Sequence, residues 1–292
     1  MSGGRGDFQA ATTDDVPSRR FFEDQPMTWA TGRRPASKKN AVTMTTIPRG
    51  VLPLYVATPT TPAPWPGVVV LHDAFGMTKD LRAQTEWLAE AGYLAVAPDL
   101  FRERNKALCM VSIMRDVRAG HGPTFDDIEA TRSWLAARED CTGTIGVVGF
   151  CMGGGLALVL SPASHGFTAS SVNYGAATKD AYSPGFLRGA CPIVASFGAD
   201  DRALRGAAVR LECSLSTLGI DHDVKEYPGA GHGFMNDHEG AGDKLPRLME
   251  LMGKLTQSPG YIQEATQDSR RRILTFFDEH LKQRPATVTG ED

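Results

Sequence analysis

Apolar residues along this chain fall into two kinds of run that alternate. Short, nearly continuous apolar runs occupy residues 67–71, 93–97, 144–148 and 192–197, and more polar strands are expected at 168–174 and 224–227. Runs of four to eight such residues, bounded by turn formers, predict strands covered on both faces, as in a parallel sheet. A further strand is expected over 51–57, followed by a Pro-rich connection at 58–66. Between these runs, apolar positions recur at helical spacing. In 78–92, Leu81, Trp87, Leu88 and Ala91 share one side and Gly92 is the stop. Helices are likewise expected over 123–137, 203–218 (stopped by Gly219) and 269–281, with an inserted helix at 245–256. Residues 100–122 are mixed and give no clear period. Strands alternating with helices predict an α/β fold, a mostly parallel sheet with helices on both faces in a single domain.

Residues 1 to about 47 differ from this body. They are polar and charged, with few aliphatic residues and no sustained period, and predict a disordered or loosely docked tail. The folded part is expected to span 48–285, with a short polar tail at 286–292.

One stretch carries a chemical signature. An apolar, β-branched run ends at Gly149, and an apolar helix-like run begins at Leu156. Between them lies Gly149-Phe150-Cys151-Met152-Gly153-Gly154-Gly155, a Gly-x-Cys-x-Gly pattern. This is the layout of a nucleophile elbow, a sharp strand-to-helix turn that presents one reactive side chain above the sheet. The turn strains the nucleophile's backbone, and side chains two positions either side would collide, hence the glycines. The usual residue is serine; here it is Cys151. A structural cysteine in a glycine-rich turn is the plainer alternative. A phosphate-binding loop fits poorly, because the Gly-Lys-Ser/Thr ending is absent.

A thiol nucleophile needs a base, and the base needs an orienting acid. In the elbow enzymes the chain order is nucleophile, acid, histidine. Cys151, then Asp200 or Asp201, then His232 give that order, each just after its own expected strand. Ligands of such sheets gather at the carboxyl ends of the strands. His232 lies between two glycines, where packing explains little, and reads as the general base. Either aspartate could orient it, or merely cap the helix that follows. The other histidines read as surface or loop residues, with His72 shaping the loop beside the nucleophile. Cys151 at a helix start favours thiolate, as does a nearby imidazolium. The backbone N–H of Met152 and that of Ala74, in the loop after residues 67–71, are the expected oxyanion donors.

Composition narrows the partners. The chain has 292 residues and a formal net charge of −3, which offers no electrostatic reason for nucleic acid or an anionic membrane. Its five cysteines show no paired spacing, so neither a disulfide frame nor a metal site is suggested. With no basic-then-apolar leader pattern and no stretch of membrane-spanning length, a cytoplasmic, reducing setting is the expectation.

The chain resembles the dienelactone hydrolases. The resemblance covers about residues 50–285 and rests on five segments. These are His72-Asp73-Ala74-Phe75-Gly76, Ala97-Pro98-Asp99-Leu100-Phe101, the elbow itself, Gly198 to Asp201, and Gly231-His232-Gly233-Phe234. It implies an α/β-hydrolase fold, no cofactor, and a Cys151-Asp201-His232 triad acting on a small-molecule lactone or ester. The family's Gly-x-x-Asp pattern favours Asp201 over Asp200. The resemblance also implies a carboxylate that pairs with the resting thiol, and Asp73 stands where that glutamate would be. Two arginines hold the substrate carboxylate in the family. Asn236 stands at one of those places, and Arg102 and Arg104 lie near the other. Phe75, Arg102, Tyr174, Phe234, Asn236 and the 100–122 segment are the expected pocket. A non-catalytic relative, binding a ligand or sensing redox state through its thiol, is the competing reading.

Overall fold

The computed structural model describes residues 40–48, 51–102, 105–244 and 260–282. Eight strands form one sheet: β1 (Ala41–Ile47), β2 (Leu52–Thr58), β3 (Trp65–Leu71), β4 (Leu94–Pro98), β5 (Cys141–Phe150), β6 (Ala169–Asn173), β7 (Ile193–Gly198) and β8 (His222–Tyr227). Their spatial order is β1-β2-β4-β3-β5-β6-β7-β8. β1 pairs antiparallel with β2, and β2 antiparallel with β4; the remaining pairs, from β4 across to β8, are parallel. Six helices are described: α1 (Lys79–Glu90), α2 (Lys106–Ala119), α3 (Pro123–Ala136), α4 (Met152–Val159), α5 (Ala207–Leu218) and α6 (Gln263–Leu281).

The continuous apolar runs have their expected cause, because successive side chains of a strand face opposite ways. Val69 and Leu71 of β3 enter one core with Ile128 of α3, Leu156 of α4 and Leu211 of α5. Val68 and Val70 enter the other with Leu81 and Leu88 of α1 and Ile273 and Phe277 of α6. A central strand buried on both faces must be apolar at every position. α4 goes further: all eight of its residues are buried, so it shows no polar face.

Several expectations need correction. Residues 41–47 are not part of a polar tail; they form β1 in full antiparallel register, from Ala41 opposite Thr58 to Ile47 opposite Leu52. β1 is an edge strand with mostly exposed side chains, so it carries Thr and β-branched residues rather than an apolar face. Residues 1–39 lie outside the described residues, as do the expected helix at 245–256 and the tail at 286–292. The connection after β2 is shorter than expected, since β3 begins at Trp65. The mixed segment contains α2, capped by the Asn105 side chain, which accepts from the Ala107 and Leu108 N–H groups. Leu108 and Val111 are exposed on it while Ile113 and Val117 are buried, and that scatter erased the helical period. The helix expected from 203 is a 3-10 turn at Arg202–Leu204 and then α5, separated by Gly206 at φ 72°. The last helix begins earlier, at Gln263.

Candidate active site

Cys151 stands between β5 and α4 with φ 55° and ψ −113°. Such angles are rare for a residue with a Cβ and cost about 1–3 kcal/mol, so surrounding structure must impose them. It does so at the glycines. A Cβ on Gly149 would lie 1.9 Å from the Gly153 carbonyl oxygen, and one on Gly153 would lie 2.3 Å from that of Leu71. One on Gly155 would lie 2.2 Å from the carbonyl oxygen of Ala176. Three further bonds fix the elbow: Cys151 N–H donates to Asn173 O (3.1 Å), and Gly155 and Ala176 N–H donate to Cys151 O (3.0 and 3.1 Å). The side chain is half-buried, so the sulfur is neither sealed in the core nor free of its walls. Met152 is the first residue of α4, and its N–H therefore has no acceptor within the helix.

The loops after β7 and β8 bring two more groups to this sulfur. His232 Nε2 lies 3.0 Å from Cys151 Sγ, and His232 Nδ1–H donates to Asp201 Oδ2 at 2.6 Å. Asp201 is 4% exposed, whereas Asp200 is exposed. The other oxygen of Asp201 accepts from the N–H groups of Ala203 and Leu204 (3.0 and 3.3 Å). One oxygen of this aspartate thus caps the turn that follows and the other meets the imidazole. Burial opposes a charge on His232, but the bonds to Asp201 and Cys151 and the negative charge on both outweigh it. Its proton is held up to a pKa of about 10.

Behind His232 stands Tyr174, its ring edge-on at 5.4 Å, with Phe234 packed on Tyr174 at 5.5 Å. Both are fully buried, so they form the wall that supports the imidazole rather than a surface open to a ligand. Tyr174 Oη–H donates to Asn236 Oδ1 (2.5 Å), and Asn236 Nδ2–H donates to Asp80 Oδ2 (2.7 Å). Asn236 is thus spent on the protein's interior. Arg102, another expected pocket residue, has its guanidinium on Asp127 of α3 at 2.6 Å. Arg104 lies outside the described residues. Phe75 is half-buried beside the loop that carries Ala74.

Asp73 departs from its expected partner. Among the described residues no hydrogen bond joins it to Cys151. Its Oδ1 accepts from Phe75 N–H (2.8 Å), and its Oδ2 accepts from His238 Nε2–H (2.8 Å). His238 reads from sequence as an ordinary loop histidine. Nothing local marks its pairing with Asp73, which is 165 residues away.

An eight-stranded, mostly parallel sheet with a strained elbow after a central strand defines the α/β-hydrolase fold. The comparisons narrow the class. The dienelactone hydrolase family profile matches residues 52–281, and the chain belongs to that family. It is 30% identical over 228 residues to a carboxymethylenebutenolidase of Rhodococcus opacus, covering 73% of this chain and 81% of that one. Among solved structures it is similar to a dienelactone hydrolase-like promiscuous phosphotriesterase from metagenomic libraries (TM-score 0.67, 20% identity, 83% of this chain and 99% of that one). It is also similar to a dienelactone hydrolase of Anabaena variabilis (TM-score 0.57, 16% identity, 84% and 100%). No helix among the described residues is long and apolar enough to cross a membrane.

Proposed function

We propose that this protein hydrolyses a small carboxylic ester or lactone through a covalent thioester on Cys151. The observation that carries the reading is the line Cys151–His232–Asp201, with contacts of 3.0 and 2.6 Å, reached by a half-buried sulfur. Family membership and the name of the Rhodococcus opacus relative support a lactone or ester as the substrate class.

In this mechanism the proton on His232 leaves negative charge on the sulfur, and the N-terminus of α4 favours it further. The thiolate attacks the carbonyl carbon. The oxyanion that forms is met by the N–H of Met152 and that of Ala74; such donors are worth about 10²–10³ in rate each. Collapse expels the alkoxide, which takes the proton from His232 Nε2. With a lactone, that alcohol remains tethered to the acyl group. His232, now neutral, removes a proton from water, which attacks the thioester and releases the acid. Asp201 holds the tautomer and orientation of the imidazole throughout. A thiol sensor needs neither an orienting acid nor oxyanion donors.

The test is hydrolysis of p-nitrophenyl acetate by the wild type, Cys151→Ala and His232→Ala, with mass spectrometry for an acetyl group on Cys151. The expected result is turnover in the wild type and a fall of at least about 10²-fold in each variant. Equal rates in all three proteins would overturn the reading.

A further inference from the structure

We propose that His238 is a positioning residue that holds the Ala74 amide in place by clamping Asp73. This rests on the reading above, in which that amide receives the oxyanion. The loop from His72 to Gly76 has little regular structure of its own, yet it must place one N–H beside the Cys151 carbonyl adduct. Asp73 organises it. Its Oδ1 accepts from Phe75 N–H (2.8 Å), closing a turn around Ala74, and its backbone oxygen accepts from Gly76 N–H (3.3 Å) and His72 Nδ1–H (2.7 Å). An aspartate side chain that bonds two residues onward fixes such a turn only while the carboxylate itself is fixed.

His238 supplies that anchor. Its Nε2 is 2.8 Å from Asp73 Oδ2, and its Nδ1 faces Asp243 Oδ2 at 3.4 Å. Asp243 is itself immobilised: its two oxygens accept from the N–H groups of Lys79 and Asp80, the first turn of α1 (2.9 and 3.0 Å). The chain of contacts therefore runs from the N-terminus of α1 through Asp243 and His238 to Asp73 and the Ala74 turn. The Phe75 ring packs edge-on to His238 at 4.8 Å, so the turn and its anchor also touch directly. On its other side, Lys106 Nζ donates to Phe75 O (2.8 Å).

Both carboxylates are satisfied together only when both ring nitrogens donate; the bond to Asp73 itself needs only the proton on Nε2, which the neutral ring also carries. The charged groups around it are Asp73 from the loop after β3, Asp80 at the start of α1, and Asp243. Burial opposes the charge, but these three carboxylates outweigh it and raise the pKa of His238 to about 9. Both contacts are made at neutral pH; above that value the ring donates to one carboxylate only, and the longer contact, to Asp243, is the one given up.

The experiment compares wild type, His238→Leu and Asp73→Asn, with circular dichroism to establish that each is folded. Three quantities are read: p-nitrophenyl acetate hydrolysis against pH, alkylation of Cys151 by iodoacetamide, and hydrogen exchange of the Phe75 amide. Alkylation is a displacement at saturated carbon and makes no oxyanion. The expected result is a 10- to 100-fold loss of kcat in both variants with KM little changed, and alkylation rates within about twofold of wild type. Phe75 exchange should quicken in both variants. Unchanged Phe75 exchange, or alkylation that falls in step with hydrolysis, would overturn the proposal. A wild type without esterase activity would overturn the hydrolase reading; Phe75 exchange alone would then decide whether His238 anchors the turn.

Discussion

Asp201 grips His232 with one carboxylate oxygen, at 2.6 Å, and its own following turn with the other. The two aspartates at 200–201 are therefore unequal although adjacent. Asp201 is 4% exposed and committed on both oxygens; Asp200 is exposed. Asp201→Asn should lower kcat for a p-nitrophenyl ester by about 10²–10⁴-fold, because the amide favours the wrong imidazole tautomer. Asp200→Asn should stay within about twofold. The reverse ranking in steady-state assays would move the orienting role to Asp200.

His232 owes its raised pKa, about 10, to both of its partners. In Cys151→Ala the bond and the negative charge of the sulfur disappear, while Asp201 remains. NMR titration of the His232 ring should therefore give a lower midpoint in Cys151→Ala than in wild type. The sign for stability follows. Folding strengthens proton binding at His232, so its contribution is fully present below the ordinary value of about 6.5 and is lost as pH rises through about 10. In Cys151→Ala, where no thiol exchanges its proton with the imidazole, urea midpoints should fall as pH rises from 6 through the midpoint of the ring.

The elbow glycines should be far less tolerant than a glycine in open space. A Cβ on Gly149 meets backbone at 1.9 Å, whereas one on Gly143 meets nothing within 4 Å and suffers only from its φ of 84°. Gly149→Ala should cost more than about 3 kcal/mol or fail to fold. Gly143→Ala should cost about 1–2 kcal/mol. Chemical denaturation compares them directly; similar costs would mean that the elbow relaxes easily.

Tyr174→Phe keeps the ring against His232 and removes only the hydroxyl that donates to Asn236. It leaves the buried Asn236 Oδ1 without that donor, and should cost about 1–3 kcal/mol in stability. Its effect on KM should be small, because the hydroxyl faces the interior. A large rise in KM with an unchanged melting temperature would place Tyr174 in the pocket instead.

Much of this protein was legible from its apolar pattern. Central strands buried on both faces have to be apolar throughout, so β3 and β5 stand out without any structure. The elbow was legible because its glycines answer steric demands that are local in sequence. β1 was not, since an edge strand has little to bury, and α2 was not, since its apolar residues are split between core and solvent. Phe234 and Tyr174 read as pocket residues because aromatic side chains near a nucleophile look alike in sequence whether they line a cavity or back a histidine.

The sequence alone determined the alternation of strands and helices, the strained turn at Cys151, and the order in which thiol, acid and histidine follow it. These depend on spacing and on backbone geometry within a few residues. Local spacing left Asp200 and Asp201 even, the family resemblance favoured Asp201, and the tertiary structure puts Asp201 on His232; it alone decided that Asp73 meets His238 rather than the thiol. The first choice turns on which of two neighbouring side chains faces inward from a strand end. The second joins residues 165 apart. Such pairings are set by how separate loops converge above the sheet, and no local pattern encodes that.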